Sequence, residues 1–366
     1  MQLRDLHRQY EAMKAEIDAA LLGVAASGSF ILGDVVAGLE RRLADYVGVK
    51  HCISCANGTD ALRMALMAWG IAPGDAVFVP DFTFFATAEA VALQGATPVF
   101  VDVLKDSCNM DAADLERKIQ YVESNTDLRP AAVIAVDLFG LPADYAELQP
   151  LCRKHGLLLL EDGAQGFGGS IEGRKACSFG DIATTSFFPA KPLGCYGDGG
   201  ALFTDNDDWA ALLRSLRVHG KGSEKYDNIR LGLNSRLDAV QAAVLQVKLN
   251  HFDDELAAVN RIAQSYNERL RGKVATPVVP PAFTSSFAQY TIQTGNRDAL
   301  QARLKAAGIP SAVYYPRTMS RQAAFAPIAS LQQPCPVSAQ LTQSVLSLPM
   351  HPYLTEQEIE LVTETI

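Results

Sequence analysis

Apolar residues recur at spacings of three and four early in the chain, at Leu6, Tyr10, Met13, Ile17 and Leu21, which predicts an amphipathic helix. After SGSFILG the same spacing returns, with Val36, Leu39, Leu43 and Val47 on one face of a second helix. The pattern then changes to short apolar runs separated by helical stretches. Strands are predicted over 50–56, 77–80, 98–102, 132–137, 157–161, 182–187 and 200–204, with helical patterns such as Leu62, Ala65, Leu66 and Trp69 between the first five. Several runs are continuously apolar rather than alternating, as expected where helices cover both faces of a mainly parallel sheet. The fold class is therefore α/β, with seven strands in one large domain. The closely spaced pair at 182–204 leaves room for an antiparallel member.

A long helical stretch over 237–271 leads to the proline-rich VVPPAF at 278–283. Beyond it the pattern predicts a strand over 288–294, a helix over 297–307, a strand over 311–315 and helices near 338–345 and 355–364. Thr355 with Glu358 suits a capping box for the last. This reads as a small α+β domain over 251–366, after a first unit of N-terminal helices and large domain over 1–250.

At 366 residues the chain is long enough for two packed domains. No apolar run approaches the ~18–20 residues of a membrane span, and the N-terminus lacks the apolar core of a signal peptide, so a cytoplasmic protein without a membrane partner is expected. The seven cysteines are scattered through apolar stretches, which suits reduced thiols. Cys52-Ile-Ser-Cys55 has no second close pair of ligands, so it reads as buried strand thiols and no metal site is expected. The net charge of −9 argues against nucleic acid as a partner. One segment departs from it: Arg214, Arg217, His219, Lys221, Lys225, Arg230 and Arg236 face only Glu224 and Asp227. It suits either a solvated loop or a patch for an anionic ligand.

Three segments carry candidate chemistry. Strand 50–56 runs into Asn57-Gly58-Thr59-Asp60 and at once into a helix. The free N–H groups and dipole of such a terminus make a natural phosphate site, while Asn57 or Thr59 equally suits a plain N-cap. No GxGxxG or Walker A pattern is present, so a nicotinamide oxidoreductase is disfavoured. In LLLLEDGAQ, Glu161 and Asp162 end a strongly apolar strand, at the edge where open α/β sheets bind ligands. A carboxylate there needs a cationic or hydrogen-bonding partner, and a protonated pyridine nitrogen would be one. Gln165 is placed to reach that ring's phenolic oxygen; a helix N-cap is the simpler use of the carboxylate. In TTSFFPAKPLGCYGDGG, Lys191 stands among apolar and small residues, and its nearest acid along the chain is Asp198. Desolvation lowers a lysine's pKa, and a neutral amine is what Schiff-base chemistry requires. Ser186 adds a hydroxyl suited to a phosphate, and Phe84 suits stacking on a ring or a place in the core. Together these are the inventory of pyridoxal 5′-phosphate (PLP): an aldimine lysine, an acid on the ring nitrogen and phosphate anchors.

The segments DLHRQY, FILGDVVAGLE, NGTDAL, VPDFTFFATAEAV, EDGAQ, SFFPAKPLGCYGDGG, RVHGKG and LGLNSRLDAVQAAVLQVKL run nearly end to end, and through them the chain resembles the DegT/DnrJ/EryC1/StrS family of PLP-dependent sugar aminotransferases. The resemblance implies the type I, aspartate aminotransferase-like fold and a homodimer with shared sites. It implies that Lys191 is the Schiff-base lysine, Asp162 faces the pyridine nitrogen, Gln165 contacts the ring hydroxyl and Phe84 stacks. Gly58, Thr59 and Ser186 would hold the phosphate, joined by Asn234 from the neighbouring subunit, with Arg236 approaching the sugar nucleotide from that side. Within the family, HCISCANGTDAL, NSRLDAVQAA and LSLPMHPYL are similar to enzymes that aminate UDP-2-acetamido-2-deoxy-3-keto-glucuronate for lipopolysaccharide, with L-glutamate as donor. Those enzymes usually place His-Tyr-Pro where this chain has Tyr314-Tyr315-Pro316, so Tyr314 and Tyr315 are expected at the sugar. A dTDP-3-keto-6-deoxy sugar and a non-catalytic sugar-nucleotide binder are the alternatives; a dehydratase of the family usually has histidine in place of Lys191.

Overall fold

The structure, a computed structural model, describes residues 1–224 and 226–366; Lys225 of the basic segment lies outside the described residues. Helix α1 (Leu6–Ser27) begins where the Asp5 carboxylate accepts the Arg8 N–H and stops at Gly28, in the left-handed conformation that favours glycine. Its Met13 and Ile17 are buried, as are Val36, Leu39, Leu43 and Val47 of α2 (Gly33–Val47). The expected apolar faces of both helices thus point inward.

The large sheet holds β1 (His51–Cys55), β2 (Asp75–Pro80), β3 (Thr97–Val101), β4 (Arg129–Val136), β5 (Leu158–Asp162), β8 (Ile182–Ser186) and β9 (Gly200–Thr204), in the order β1-β9-β8-β5-β4-β2-β3. These are the seven predicted strands. Between β5 and β8 lie the two-residue strands β6 (Ser170–Ile171) and β7 (Arg174–Lys175), which pair with β10 (Phe283–Thr284) in a small separate sheet. In the large sheet β9 alone runs against the rest, antiparallel to both β1 and β8. The other six point the same way, so their carboxyl ends share one edge. Helices α3 (Gly58–Ala68), α4 (Phe85–Leu93), α5 (Ala112–Asn125), α6 (Tyr145–His155) and α7 (Asp207–Leu216) cover it. Every residue of β2 is buried, which accounts for its unbroken apolar run.

Helix α8 (Ala239–Leu270) runs without a break across residue 250. Its first half packs on α1 and α2; its second buries Val259, Ile262, Tyr266 and Leu270 against the small sheet of β11 (Tyr290–Gln293) and β12 (Val345–Leu348). Helices α9 (Arg297–Ala306), α10 (Pro336–Ser344) and α11 (Glu356–Thr365) complete this part, and α11 opens on the Thr355–Glu358 capping box. The strand expected over 311–315 is absent: only Ala312 pairs, with Ser347. Pro310 and Pro316 flank the segment and bring no N–H to a ladder. The second difference is β12, whose Val345 was expected to end a helix. The chain over 318–338 returns to the large domain, where two buried carboxylates fasten it. Asp81, after β2, accepts from the Ser320 N–H at 2.6 Å and its hydroxyl at 2.9 Å. Asp102, after β3, accepts from Val337 N–H at 2.9 Å and Ser338 N–H at 2.7 Å.

Candidate active site

The chain leaves β8 at the shared carboxyl edge and makes a turn over 187–199 before descending as β9. Lys191 stands on that turn, partly buried, with no hydrogen bond or ion pair to its amine among the described residues. Burial lowers the pKa of the amine, the charge of Asp162 opposes that, and the cation of Arg4 adds to it. The neutral form is favoured relative to a free lysine.

Asp162, the last residue of β5, is 5% exposed. Its carboxylate accepts the Thr87 hydroxyl at 2.9 Å and the Ala164 N–H at 3.2 Å. Burial pushes its pKa up, against those two hydrogen bonds and the charge of Lys191. A buried carboxylate so arranged gains from a further cation. Neighbouring Glu161 serves the backbone instead, accepting the N–H groups of Phe179 at 2.6 Å and Gly180 at 3.1 Å, and also that of Cys177. It braces the loop after β5 and is fully buried. The glycine in EDGAQ has a local cause, because a Cβ on Gly163 would stand 2.5 Å from the Cys177 sulfur.

Gln165 is fixed by its own amide oxygen, which accepts the Phe139 N–H at 2.7 Å. Its amide nitrogen must therefore face the site, where one N–H meets the Tyr315 hydroxyl oxygen at 3.1 Å. The Tyr315 ring lies 6.2 Å from that of Phe84 and 5.8 Å from that of Tyr314. Phe84, at the N-terminus of α4, is 54% exposed, so one large aromatic face stands open at this edge. On the other side Gly58 opens α3, whose N-cap Asn57 accepts the Asp60 N–H. A Cβ on Gly58 would stand 2.8 Å from the Cβ of Ser186, so glycine is what lets the helix terminus and the end of β8 meet. Thr59 is next in that first turn and partly exposed.

The structure thus brings Lys191, Asp162, Gln165, Tyr315 and Phe84 to one edge, with Gly58, Thr59 and Ser186 beside them. Asn234 and Arg236 stand differently. The intervening Ser235 accepts the Ala56 N–H at 3.1 Å, which ties this stretch to the end of β1. Yet Asn234 is exposed, and neither side chain has a partner among the described residues. Part of the basic segment is consumed internally, with Arg217 paired to Glu40 and Arg230 donating to Ser215. His219, Lys221 and Arg230 line an open hollow of about 730 Å³. The seven cysteines are buried free thiols. No helix among the described residues is long and apolar enough to cross a membrane. Sequence reasoning missed Thr87 and Arg4. Thr83 and Thr87, four apart in an otherwise apolar helix start, were a readable if faint signal for the first.

An amine, a carboxylate and an amide at strand ends of one parallel edge answer the demands of PLP. The fold and its relatives are those of a PLP-dependent sugar aminotransferase of the type I fold. The chain belongs to the DegT/DnrJ/EryC1/StrS aminotransferase family, which it matches over residues 11–366. It is 45% identical to the UDP-2-acetamido-2-deoxy-3-oxo-D-glucuronate aminotransferase of Pseudomonas aeruginosa, covering 98% of this chain and 97% of that one. It is 43% identical to a UDP-N-acetyl-3-dehydro-alpha-D-glucosamine 3-aminotransferase of Acidithiobacillus ferrooxidans, over 99% and 96% of the two chains. The crystal structure of a family aminotransferase from Brucella abortus superposes with a TM-score of 0.98 at 49% identity, covering 100% of this chain and 98% of that one.

Proposed function

We propose that this enzyme moves the amino group of L-glutamate to C3 of UDP-2-acetamido-2-deoxy-3-keto-D-glucuronate, in the supply of diaminouronic acids for lipopolysaccharide O-antigen. It would do so as a cytoplasmic homodimer with shared sites. The observation that carries the reading is Lys191, an unpaired and partly buried amine beside the buried Asp162. When bound, PLP would supply the carbonyl and the electron sink that amino transfer requires. Lys191 Nζ, disposed to be neutral, would hold the cofactor and, once released, would carry the proton at the substrate carbon. Asp162, its plane set by Thr87 and Ala164, keeps a proton on the pyridine nitrogen. The second N–H of the Gln165 amide would serve the ring oxygen, and Phe84 would stack on the ring. Gly58, Thr59 and Ser186 take the phosphate at the N-terminus of α3. Asn234 of the partner subunit completes that cradle, which suits its exposed and unpaired state here.

Arg236, unpaired in the basic segment, would meet the C6 carboxylate of the sugar, with Tyr314 and Tyr315 at its other face. Such a charge-assisted bond is worth roughly 1.5–3 kcal/mol, about 10- to 150-fold in specificity constant. The test compares kcat/KM for the uronate and for the matching sugar with a neutral C6. The wild type should prefer the uronate, and Arg236→Ala should erase most of that preference while leaving the glutamate half-reaction largely intact. A wild-type preference for the neutral sugar, or for a dTDP-3-keto-6-deoxy sugar, would sink the uronate assignment.

A further inference from the structure

We infer that Arg4, from the segment before α1, is a positioning residue for Lys191: it holds the backbone of the lysine turn from behind and sets the charge around its amine. The inference rests on the reading of Lys191 as the cofactor-bearing residue. The turn between β8 and β9 satisfies some of its own backbone groups, with Lys191 N–H donating to Phe188 O and Cys195 N–H to Phe187 O, each at 2.8 Å. The carbonyls of Lys191, Pro192 and Gly194 point elsewhere, and Pro192 to Cys195 are buried, so these acceptors need donors from outside. Arg4 supplies one: its Nη2 donates to Lys191 O at 2.9 Å and to Pro192 O at 3.2 Å. Lys248, 1% exposed on α8, supplies the other, donating from Nζ to Gly194 O at 2.7 Å.

Arg4 is itself held in place. Met350 N–H donates to Leu3 O at 3.0 Å, and Arg8 grips Glu358 with bonds of 2.8 and 2.9 Å. Among the described residues the two carbonyls are the only hydrogen-bond partners of the Arg4 side chain, and it forms no ion pair. Burial lowers the pKa of this cation, and the charge of Glu255, which forms no ion pair with it, opposes that together with Tyr353. Here that cation opposes protonation of Lys191, in the same direction as burial and against Asp162. The turn's position and its electrostatics thus depend on a residue 187 positions away.

The near-visible absorbance of the cofactor joined to Lys191 titrates with pH and reports the charge state of that linkage. In the holoenzyme, Arg4→Met should move the midpoint upward, because a nearby cation is lost, whereas Arg4→Lys should stay near wild type. In the cofactor-free protein, Arg4→Met should make the amides of 193–195 exchange hydrogen about tenfold faster. If Arg4→Met fails to fold, Arg4→Gln keeps a neutral donor and should show the same upward shift with a smaller change in exchange. An unmoved midpoint in the neutral variants, or equal shifts in the neutral and the lysine variants, would overturn the inference and leave Arg4 a packing residue. A Lys191→Ala protein that still forms the band would bring down the underlying reading of Lys191 instead, whatever Arg4 does.

Discussion

The Asp162 carboxylate is buried and takes two hydrogen bonds from its own chain, whereas the Asn234 side chain is exposed and takes none among the described residues. The same contrast separates Gln165, locked by Phe139, from Arg236, which pairs with nothing among the described residues. The strand-end side of the site is finished within one chain. Its groups are oriented by backbone N–H donors and neighbouring strands before any ligand arrives. The loop side leaves Asn234 and Arg236 without support among the described residues. A polar side chain left this way is either solvated or waiting for a partner, and here two such residues flank a serine bonded to the end of β1. Self-sufficiency on one side and open groups on the other is what the proposed division of the site between two subunits would produce.

The most severe break of this contrast is Lys191→Ala. The protein should lose its near-visible band and at least roughly a thousandfold in turnover, since attachment and proton transfer share one amine. A substantial residual rate would mean that the finished side of the site lies elsewhere. Next in size is a complementation. Asn234→Asp sets a carboxylate against a phosphate, and each mutant alone should be nearly dead. Co-expressed with Lys191→Ala, it should restore about a quarter of wild-type sites by random pairing in a two-fold dimer. Mixed dimers that form but remain inactive would show that Asn234 serves its own chain. Gly58→Ala should be milder: the new methyl pushes on Ser186, and cofactor affinity should fall by about 5- to 20-fold with the fold intact. Unchanged affinity would remove Gly58 and Ser186 from the phosphate cradle.

A further effect falls on stability and leaves the site alone. His351 is 1% exposed with neither ring nitrogen hydrogen-bonded among the described residues, and the charges of Asp5, Glu358, Arg4 and Arg8 act on it. Burial lowers its pKa from 6.5 to about 4. The folded protein therefore resists a proton that the unfolded chain accepts below about 6.5. Stability present above that pH should fall as pH drops towards 4, by up to about 3 kcal/mol, and change no further from this group below it. His351→Leu should flatten that part of the stability profile in denaturant titrations. A slope identical to wild type would mean that the acids nearby, and not this ring, govern the window.

The placing of Lys191, Asp162, Gln165, Ser186 and Gly58 at one edge was legible in the sequence because each ends or follows a predicted strand, and the carboxyl edge of such a sheet collects them. Asp162 and Glu161 are neighbours whose opposite duties follow from strand alternation, one side chain facing the site and the other the loop after β5. Arg4 was not legible as a site residue, since its partner lies 187 positions away and nothing local marks it. Thr87 carried only its spacing from Thr83, and the carboxylate it serves stands 75 positions further on. The strand expected over 311–315 failed for a related reason. Val313, Tyr314 and Tyr315 have the composition of a strand, but flanking prolines and the pull of Gln165 on Tyr315 direct the segment to the other domain. Composition describes what a segment can pair with, and tertiary contacts decide what it does pair with.

The reversed direction of β9 bears on the order in which the site can be assembled. Ser186 and Gly200 face each other across the β8–β9 pair, fourteen positions apart in the chain, so zipping that hairpin alone delivers Ser186 and the turn bearing Lys191. Joining Gly58 to Asp162 instead closes a loop of 104 positions, three doublings longer, at an extra entropic cost of about 2 kcal/mol. A folding chain therefore reaches the lysine turn and Ser186 through a short local closure, and brings up Gly58 and Asp162 only once the parallel crossovers are in place.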